Sequence, residues 1–449
     1  MDGRSTFNEP RGMIIRCPFF VSSANLLRGL YRSWNYGTGA PRLKASHEIT
    51  QVLQTFGAIA VNLKLHLNIM TTIEAVTELR REFVRRGWDK KATNRIMFEL
   101  LIHVAIAVVG IAIFMTCHNP AVRALGILIS SFGCMGVGTN THTSTHYGTS
   151  EKRWVNEALS YLGYPMFLGL SATYWWHKHV VLHHPAPNVV GVDSDADLLP
   201  WFAITADEVH ASSGLRRFYY ERLQFWLFPL ALALNGFGIQ TAGWAHLIRV
   251  LCYSKKRKSA HWIDLSAMLL HYVIWIGVPL LFWPLPAVAG FYILRTILLG
   301  YAMYAILAPG HFPAEAQRMT DEARHGADFF AVQTAGTVSF RTGLLGKFLC
   351  SGLEYQVEHH LFPNISHVHY PEVSVAVREF CAERGLPYRS YSWAVALWKS
   401  WEVLRFPQQV VGRGHVPVPV NAAPSPGLLV AAQRRRGTQN RMNRTRCPG

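Results

Sequence analysis

Residues 177–184 of this chain read His-Lys-His-Val-Val-Leu-His-His, a dense histidine cluster in a sequence of 449 residues. A second cluster, Gln-Val-Glu-His-His, occupies residues 356–360, and a shorter one, His-Thr-Ser-Thr-His, occupies residues 142–146. Imidazole nitrogens suit iron, copper, nickel and zinc. So many histidines in ordered clusters predict a site that holds more than one metal ion, provided that the fold brings the clusters together.

The spacing within the clusters predicts how the histidines share the ions. Residues four positions apart lie on one face of a helix and can grip one ion, whereas adjacent histidines point in different directions and can reach two ions. His311, just past the last apolar segment, joins the same side of the membrane. The predicted ligands are His142, His146, His179, His183, His184, His311, His359 and His360.

The composition predicts an all-α integral membrane protein. Half of the residues are hydrophobic and only 16% are charged. Four apolar segments approach the about 20 residues that a helix needs to cross a bilayer; they are 100–117, 124–141, 265–283 and 286–308. The short loops within each pair carry almost no Lys or Arg, whereas the longer segments are basic. This asymmetry predicts four transmembrane helices with a helical cap and the active site on the cytoplasmic face.

Two further apolar stretches, 158–176 and 223–243, are interrupted by Pro or Gly and rich in aromatic residues. A single crossing by the first of them would put the first two histidine clusters on opposite faces of the membrane. We therefore interpret both stretches as interfacial or re-entrant. Because this step assumes the metal site, it does not support that site in turn.

The chain has a net charge of +17, and its basic residues flank the apolar spans. This arrangement favours an anionic membrane surface over nucleic acid as the partner. Residues 74–97 read as a basic amphipathic helix interrupted at Gly87, next to the membrane. We expect a partly disordered leader over 1–73, a membrane domain over 74–403 and a disordered basic tail over 404–449. The seven cysteines form no CxxC pair and are predicted to be free thiols.

Five motifs together resemble the membrane fatty acid desaturase family, and in particular its linoleoyl-CoA and front-end branch, over residues 75–390. They are His142-Thr-Ser-Thr-His146, Trp175-Trp176-His177-Lys178-His179-Val-Val-Leu-His183-His184, Asn188-Val-Val-Gly191-Val-Asp193, Glu354-Tyr355-Gln356-Val357-Glu358-His359-His360-Leu361-Phe362-Pro363 and Ile365-Ser366-His367-Val368-His369-Tyr370-Pro371.

The resemblance implies two non-haem iron ions on the eight histidines, a tunnel for an acyl chain, and O2 as co-substrate. Gln356 stands where relatives have a histidine of the third motif, so it is expected among the ligands or beside them, and His177 beside them. Such an enzyme inserts a double bond into a fatty acyl chain with two external electrons. No His-Pro-Gly-Gly haem motif occurs in the sequence, so a separate ferredoxin or cytochrome b5 is the expected donor.

Other residues are candidates for supporting roles. Histidine ligands need partners that set their tautomer, and the nearby carboxylates are Glu354, Glu358, Asp193, Asp195 and Asp197. Trp175 and Trp176 either line the acyl tunnel or anchor the chain at the membrane interface. Arg295 lies within the fourth apolar segment, where a cation suggests either a functional role or a side chain that reaches back to water.

Three functions remain open at this point. The first is an acyl desaturase, and the second is a lipid hydroxylase or sphingolipid desaturase with the same metal site. The third is a histidine-rich metal carrier or transporter, which should place its ligands near the bilayer midplane, whereas these clusters fall outside the predicted spans. The double-bond position, the acyl chain length and its carrier stay open.

Overall fold

The computed structural model describes residues 74–255 and 257–412, and these are mostly helical. The predicted leader, 1–73, lies outside the described residues, as does the part of the tail beyond 412. Residues 74–86 form a helix that ends in a turn at Gly87, which adopts a φ of 73°. The predicted interruption at Gly87 is therefore confirmed, because a positive φ is accessible to glycine and ends the helix there.

Five helical stretches in the described chain are long and apolar enough to cross a membrane. They are Thr93–Thr116, Pro120–Thr145, Gly214–Tyr253, Ser259–Leu280 and Leu285–His311. Four of them overlap the four predicted spans, and the stretch Gly214–Tyr253 contains the segment predicted to be interfacial. Residues 158–176 form no such helix, because Gly169, with a φ of 71°, separates two short helical pieces.

Helices 93–116 and 120–145 form a closely packed pair. Asn119 caps the second of them by accepting hydrogen bonds from the backbone N–H of Ala121 at 2.9 Å and of Val122 at 3.3 Å. A Cβ atom on Gly133 would lie 2.7 Å from the Cα of Ala107. Small residues at this contact let the two backbones approach, as is typical of membrane helices.

Shorter elements build the rest. The α-helices are Arg153–Tyr161, Ala172–Trp175, Ala206–His210, Asp321–His325, Phe329–Ala335, Leu344–Cys350, Gln356–Leu361, Tyr370–Arg384 and Trp393–Glu402. Leu162–Leu168 and Trp176–His183 are π-helical, and His367–His369 is a 3-10 turn. Parallel strand pairs join Arg318–Met319 to Val410–Val411 and Ser339–Arg341 to Ser390–Ser392. Residues 74–255 and 257–412 are thus mostly helical, as predicted, but they also contain these two small sheets, which the all-α prediction did not include.

The ordered chain continues beyond the predicted tail boundary at 404. Leu404 is buried, and Gln408 donates from Nε2 to the carbonyl of Phe312 at 2.9 Å. The pairing of Val410–Val411 with Arg318–Met319 extends the order further. The first nine residues assigned to a disordered tail, 404–412, therefore pack against the helical body, since their backbone groups find partners there.

The histidine clusters meet at one end of the helices. Helices 120–145 and 285–311 both finish there, and Trp176–His183 and Gln356–Leu361 lie beside them. Helix 93–116 begins at the same end, where Thr93 Oγ1 donates to the carbonyl of Thr149 at 2.8 Å. We call this the histidine end of the bundle.

Candidate metal centre

The eight predicted histidine ligands are all buried and fall into two groups of converging nitrogens. The five-histidine group comprises His142, His146, His179, His184 and His359, and the three-histidine group comprises His183, His311 and His360. Within each group, the possible ligand atoms lie within 4.8 Å of one another. The rings of His184 and His360 stack with centroids 4.3 Å apart, so the two groups are neighbours.

The distances within the five-histidine group fit a metal ion. His142 Nε2 lies 3.1 Å from His359 Nε2 and 3.3 Å from His179 Nε2, which lies 3.2 Å from His184 Nε2. Two nitrogens each about 2.1 Å from one ion are separated by about 3.0 to 3.4 Å in octahedral to tetrahedral geometry. The observed separations therefore match those of nitrogens that share an ion.

The protonation state of these rings also suits a metal ion. Burial lowers the pKa of His179, His184, His359 and His360 well below the ordinary value, so the rings are neutral. Nδ1 of His179 lies 3.1 Å from a carboxylate oxygen of Asp195 and donates to it, which leaves a lone pair on Nε2. Lone pairs that face one another at this distance repel unless a cation lies between them.

The helix that supplies three ligands begins at a polar cap. Ser171 is its N-cap and accepts from the N–H of Tyr174 at 3.1 Å. The buried carboxylate of Asp264 accepts from Ser171 Oγ at 2.7 Å and from the N–H of Thr173 at 2.8 Å. An N-cap contributes about 1 kcal/mol, and here it fixes where the helix starts. The π-helical stretch Trp176–His183 continues from it, a geometry frequent at functional sites.

Carboxylates hold the ring nitrogens that face away from the two groups of converging nitrogens. Asp193 Oδ2 accepts from His183 Nδ1 at 2.9 Å, and Lys178 Nζ lies 2.9 Å from Asp195 Oδ1. These two carboxylates were among the predicted candidates. Such partners orient ligands and raise their basicity.

Three further partners were not found from the sequence. The hydroxyl of Tyr164 lies 2.9 Å from His142 Nδ1, that of Tyr370 lies 3.4 Å from His359 Nδ1, and Gln333 Oε1 accepts from His360 Nδ1 at 3.0 Å. Tyr164 and Gln333 lie far along the chain from the histidines they contact. Tyr370 belongs to the motif Ile365–Pro371, but the sequence does not predict its contact with His359.

Gln356 lies beside the three-histidine group. Its Nε2 is 3.2 Å from His311 Nε2, and its buried Oε1 has no partner among the described residues. The close approach depends on Gly310, because a Cβ there would lie 2.7 Å from the amide nitrogen. The amide therefore lies within hydrogen-bonding distance of a histidine of this group.

The other candidates for supporting roles are placed differently. Glu358 is buried but accepts from Ser339 at 3.1 Å and Tyr388 at 2.7 Å rather than from a histidine. His177 is exposed and lies outside both histidine groups. Asp197 is exposed, and its Oδ1 accepts from the N–H of Leu199 at 3.0 Å. Glu354 is buried, and burial raises the pKa of its carboxyl to about 7.

The tunnel candidates separate into two buried residues and one exposed residue. Trp175 stacks on His179 with ring centroids 4.8 Å apart, whereas Trp176 is 46% exposed. Arg295 is fully buried in helix 285–311 and donates to the carbonyl of Phe167. Its guanidinium lies 3.9 Å from the ring centroid of Trp275, so it does not reach back to water.

Comparison with known proteins adds independent findings. The family model "Fatty acid desaturase" matches residues 118–392, more than half of the chain. A "Delta(8)-fatty-acid desaturase 2" from Arabidopsis thaliana is 28% identical over 333 residues, which are 70% of each chain. An "sn-1 linoleoyl-lipid 6-desaturase" from Arthrospira platensis is 29% identical, over 62% of this chain and 77% of its own length.

Proposed function

Because the chain belongs to the fatty acid desaturase family and is a membrane acyl desaturase of lipid metabolism, we propose that its two histidine groups hold two iron ions. The observation that supports this most is the convergence of eight buried imidazoles in two adjacent groups. An iron pair bound there would supply the activation of O2 that breaking an unactivated C–H bond requires.

The reaction balances with two external electrons. One molecule of O2 takes two hydrogen atoms from adjacent methylenes, two electrons from a donor and two protons, and leaves as two molecules of water. The acyl chain loses two hydrogens and gains a double bond. The protein's own part is to bind and orient the chain, to hold the ligand rings in one tautomer and to keep bulk water out.

Gln356 supports the three-histidine group in this proposal. Three imidazoles leave positions open on an ion, and the amide of Gln356 is the polar group next to His311. Its oxygen and nitrogen differ only by a rotation of the amide. We therefore assign Gln356 either to a ligand position through oxygen or to a hydrogen bond beside the ion.

Four helices cross the membrane in the arrangement that we propose. Helices 93–116, 120–145, Ser259–Leu280 and Leu285–His311 each have one end at or beside the histidine end. The stretch Gly214–Tyr253 starts and finishes near it instead. At its start, Tyr220 OH donates to the carbonyl of Pro200 at 2.6 Å. Near its finish, the rings of His246 and His261 lie 6.3 Å apart, just after Ser259 begins the next helix.

The stretch Gly214–Tyr253 therefore enters and leaves the membrane at the same end in this arrangement, which is the re-entrant alternative for 223–243, because Asn235 Nδ2 donates to the carbonyl of Gly300 at 3.1 Å, midway along helix Leu285–His311. The histidine end then faces the cytoplasm, since the basic segments of the chain flank it. Trp175, stacked beside His179, is proposed to line the acyl path. Arg295 is buried in helix Leu285–His311, where it donates to the carbonyl of Phe167. We propose that it shapes the inner end of the acyl path.

For the substrate we propose an already unsaturated acyl lipid, because the relatives found include a linoleoyl-lipid 6-desaturase and Delta(8) desaturases. The test is expression of the full chain in a host supplied with ferredoxin, its reductase and cytochrome b5, followed by mass spectrometry of the lipids. We expect a new acyl species two hydrogens lighter. His359→Ala removes one nitrogen of the five-histidine group. This variant should abolish the new acyl species while the protein still accumulates.

His177→Ala is the matched control, because this exposed histidine lies outside both groups and its loss should leave the product unchanged. A product that gains oxygen would replace the desaturase with a hydroxylase. Full turnover in His359→Ala would refute the ligand assignment. Purified protein with two iron ions per chain, and none of another metal, supports the identity of the ion.

A further inference from the structure

A surface pocket of about 190 Å³ lies away from the histidines, between the start of the stretch Gly214–Tyr253 and the segment that follows helix Trp393–Glu402. Two arginines, Arg222 and Arg405, line it from its two sides, together with Phe225 and Trp226. The combination of two guanidinium groups with aromatic rings suits an anionic ligand that carries an apolar portion.

A buried amide holds the two sides of this pocket together. Gln224 Nε2 donates to the carbonyl of Leu404 at 2.8 Å and to that of Ala203 at 2.9 Å. The ring of Trp401 stacks on Phe225 at 4.7 Å, and its Nε1 donates to the Phe225 carbonyl at 2.9 Å. The pocket is thus formed by fixed elements before any ligand arrives.

The charges of the pocket are not neutralised by the protein. Within 74–255 and 257–412, no carboxylate pairs with Arg222 or Arg405. Glu221 also lines the pocket, but its Oε1 is held by Arg217 Nε at 2.8 Å. The guanidinium of Arg405 lies 5.8 Å from the ring centroid of Phe225. Stacking on a ring leaves the N–H groups at the edge of a guanidinium free to bind an anion.

Exposed basic and exposed apolar side chains both border the pocket. Arg216 and Arg217, before it in the chain, are exposed. After it, Trp226 is 65% exposed and Leu230 is 69% exposed. On the other side, Phe406 is 63% exposed. Exposed aromatic residues between a basic and an apolar surface are typical of the headgroup region of a bilayer.

We propose that this pocket binds the phosphate of an anionic phospholipid, with Arg222 and Arg405 on the phosphate and the acyl chain along Trp226 and Leu230. A phosphate between two guanidinium groups gains charge-assisted hydrogen bonds, and basic pockets on the cytoplasmic side of membrane helices are suited to such headgroups. The proposal rests on the position of the start of Gly214–Tyr253 at the cytoplasmic interface but not on the metal centre.

The experiment titrates the full chain, purified in a neutral detergent, with phosphatidylglycerol or phosphatidylcholine and counts the bound lipids by native mass spectrometry. We expect one phosphatidylglycerol to be retained at least tenfold more tightly than phosphatidylcholine. Arg222→Gln with Arg405→Gln should weaken its binding about 25-fold, since each cation near an anionic surface contributes about fivefold. Arg216→Gln with Arg249→Gln removes the same charge from exposed positions outside the pocket and should leave it bound.

Equal binding of phosphatidylcholine, or an equal loss in the two double variants, would overturn the proposal. Displacement of the lipid by equimolar inorganic phosphate would identify a phosphate ion rather than a lipid as the occupant, and would also overturn it. The titration is repeated with His359→Ala. Retained lipid binding in this variant separates the pocket from the metal centre, so the two proposals fail independently.

Discussion

The five-histidine and three-histidine groups lie side by side but differ in the number of nitrogens that each offers to an ion. The first offers five nitrogens, drawn from all three histidine clusters. The second offers three, His183, His311 and His360, with the amide of Gln356 next to them. Ligand positions that the protein leaves open on a metal ion are the ones that exogenous molecules can occupy.

This difference indicates that the loss of one histidine weakens metal binding less in the five-histidine group than in the three-histidine group. An ion in the five-histidine group keeps four nitrogens when one is removed, whereas an ion in the three-histidine group keeps two. The shared helix explains why the difference does not make them independent. His179, His183 and His184 lie on one helical segment, so any movement of that segment reaches both groups.

Removing one ligand from each group should give the largest effects. Losing a hydrogen-bond partner of a ligand costs at most about 100-fold in metal affinity. His311→Ala removes a ligand itself, so we expect a larger loss of affinity for the ion in the three-histidine group. The variant should then hold one iron per chain. His184→Ala, in the five-histidine group, should retain more of its ion. Iron analysis of purified protein, combined with chelator competition, measures both stoichiometry and affinity.

His177→Ala serves as the control here too, since the side chain is exposed and belongs to neither group. Two ions retained in His311→Ala would mean that the three-histidine group is not a separate site. An equal loss in both variants would show that the number of nitrogens does not set the difference between the groups.

Removing the outer carboxylates should produce a smaller effect with the same asymmetry. Asp193 accepts from His183 at 2.9 Å, and Asp195 accepts from His179 at 3.1 Å. Asp193→Asn should weaken metal binding by the three-histidine group about 10- to 100-fold, because His183, one of its three imidazoles, loses the partner that orients it. Asp195→Asn should fall at the lower end of that range, because four other nitrogens remain. A larger loss in Asp195→Asn, measured by the same chelator competition, would contradict this order.

The contrast between ligands and partners also explains what the sequence could predict. The candidate ligands could be named because close spacing along a helix marks residues that can share a metal, as in His142 and His146. Tyr164 and Gln333 were missed because each meets its histidine only through the fold, 22 residues away for Tyr164 and His142 and 27 for Gln333 and His360. A single tyrosine or glutamine in a hydrophobic chain carries no local signal of such a role.

The membrane elements show the same limit. Hydrophobicity and length predicted a span over 100–117, which helix 93–116 largely covers, because an uninterrupted apolar run needs no partner to be recognised. The order of residues 404–412 was not predicted, because it comes from contacts with distant chain, such as Gln408 with the carbonyl of Phe312. His177 belongs to the densest cluster yet is exposed, since residues two positions apart on a helix point in nearly opposite directions and His179 faces the buried side.

The smallest expected effect tests whether Gln356 completes the three-histidine group. In a helix, Gly→Ala is ordinarily favourable by up to about 1 kcal/mol. A Cβ at Gly310 would lie 2.7 Å from Nε2 of Gln356 and 2.9 Å from its Cδ, so Gly310→Ala must displace the amide. We expect affinity for the second ion to fall on the order of tenfold, with the first ion retained. In the same helix, a Cβ placed at Gly290 would meet no heavy atom within 4 Å apart from its own stretch of helix backbone, so Gly290→Ala should change neither ion. Matching metal affinities in the two variants would show that the amide plays no part, and the three-histidine group would then hold its ion with imidazoles alone.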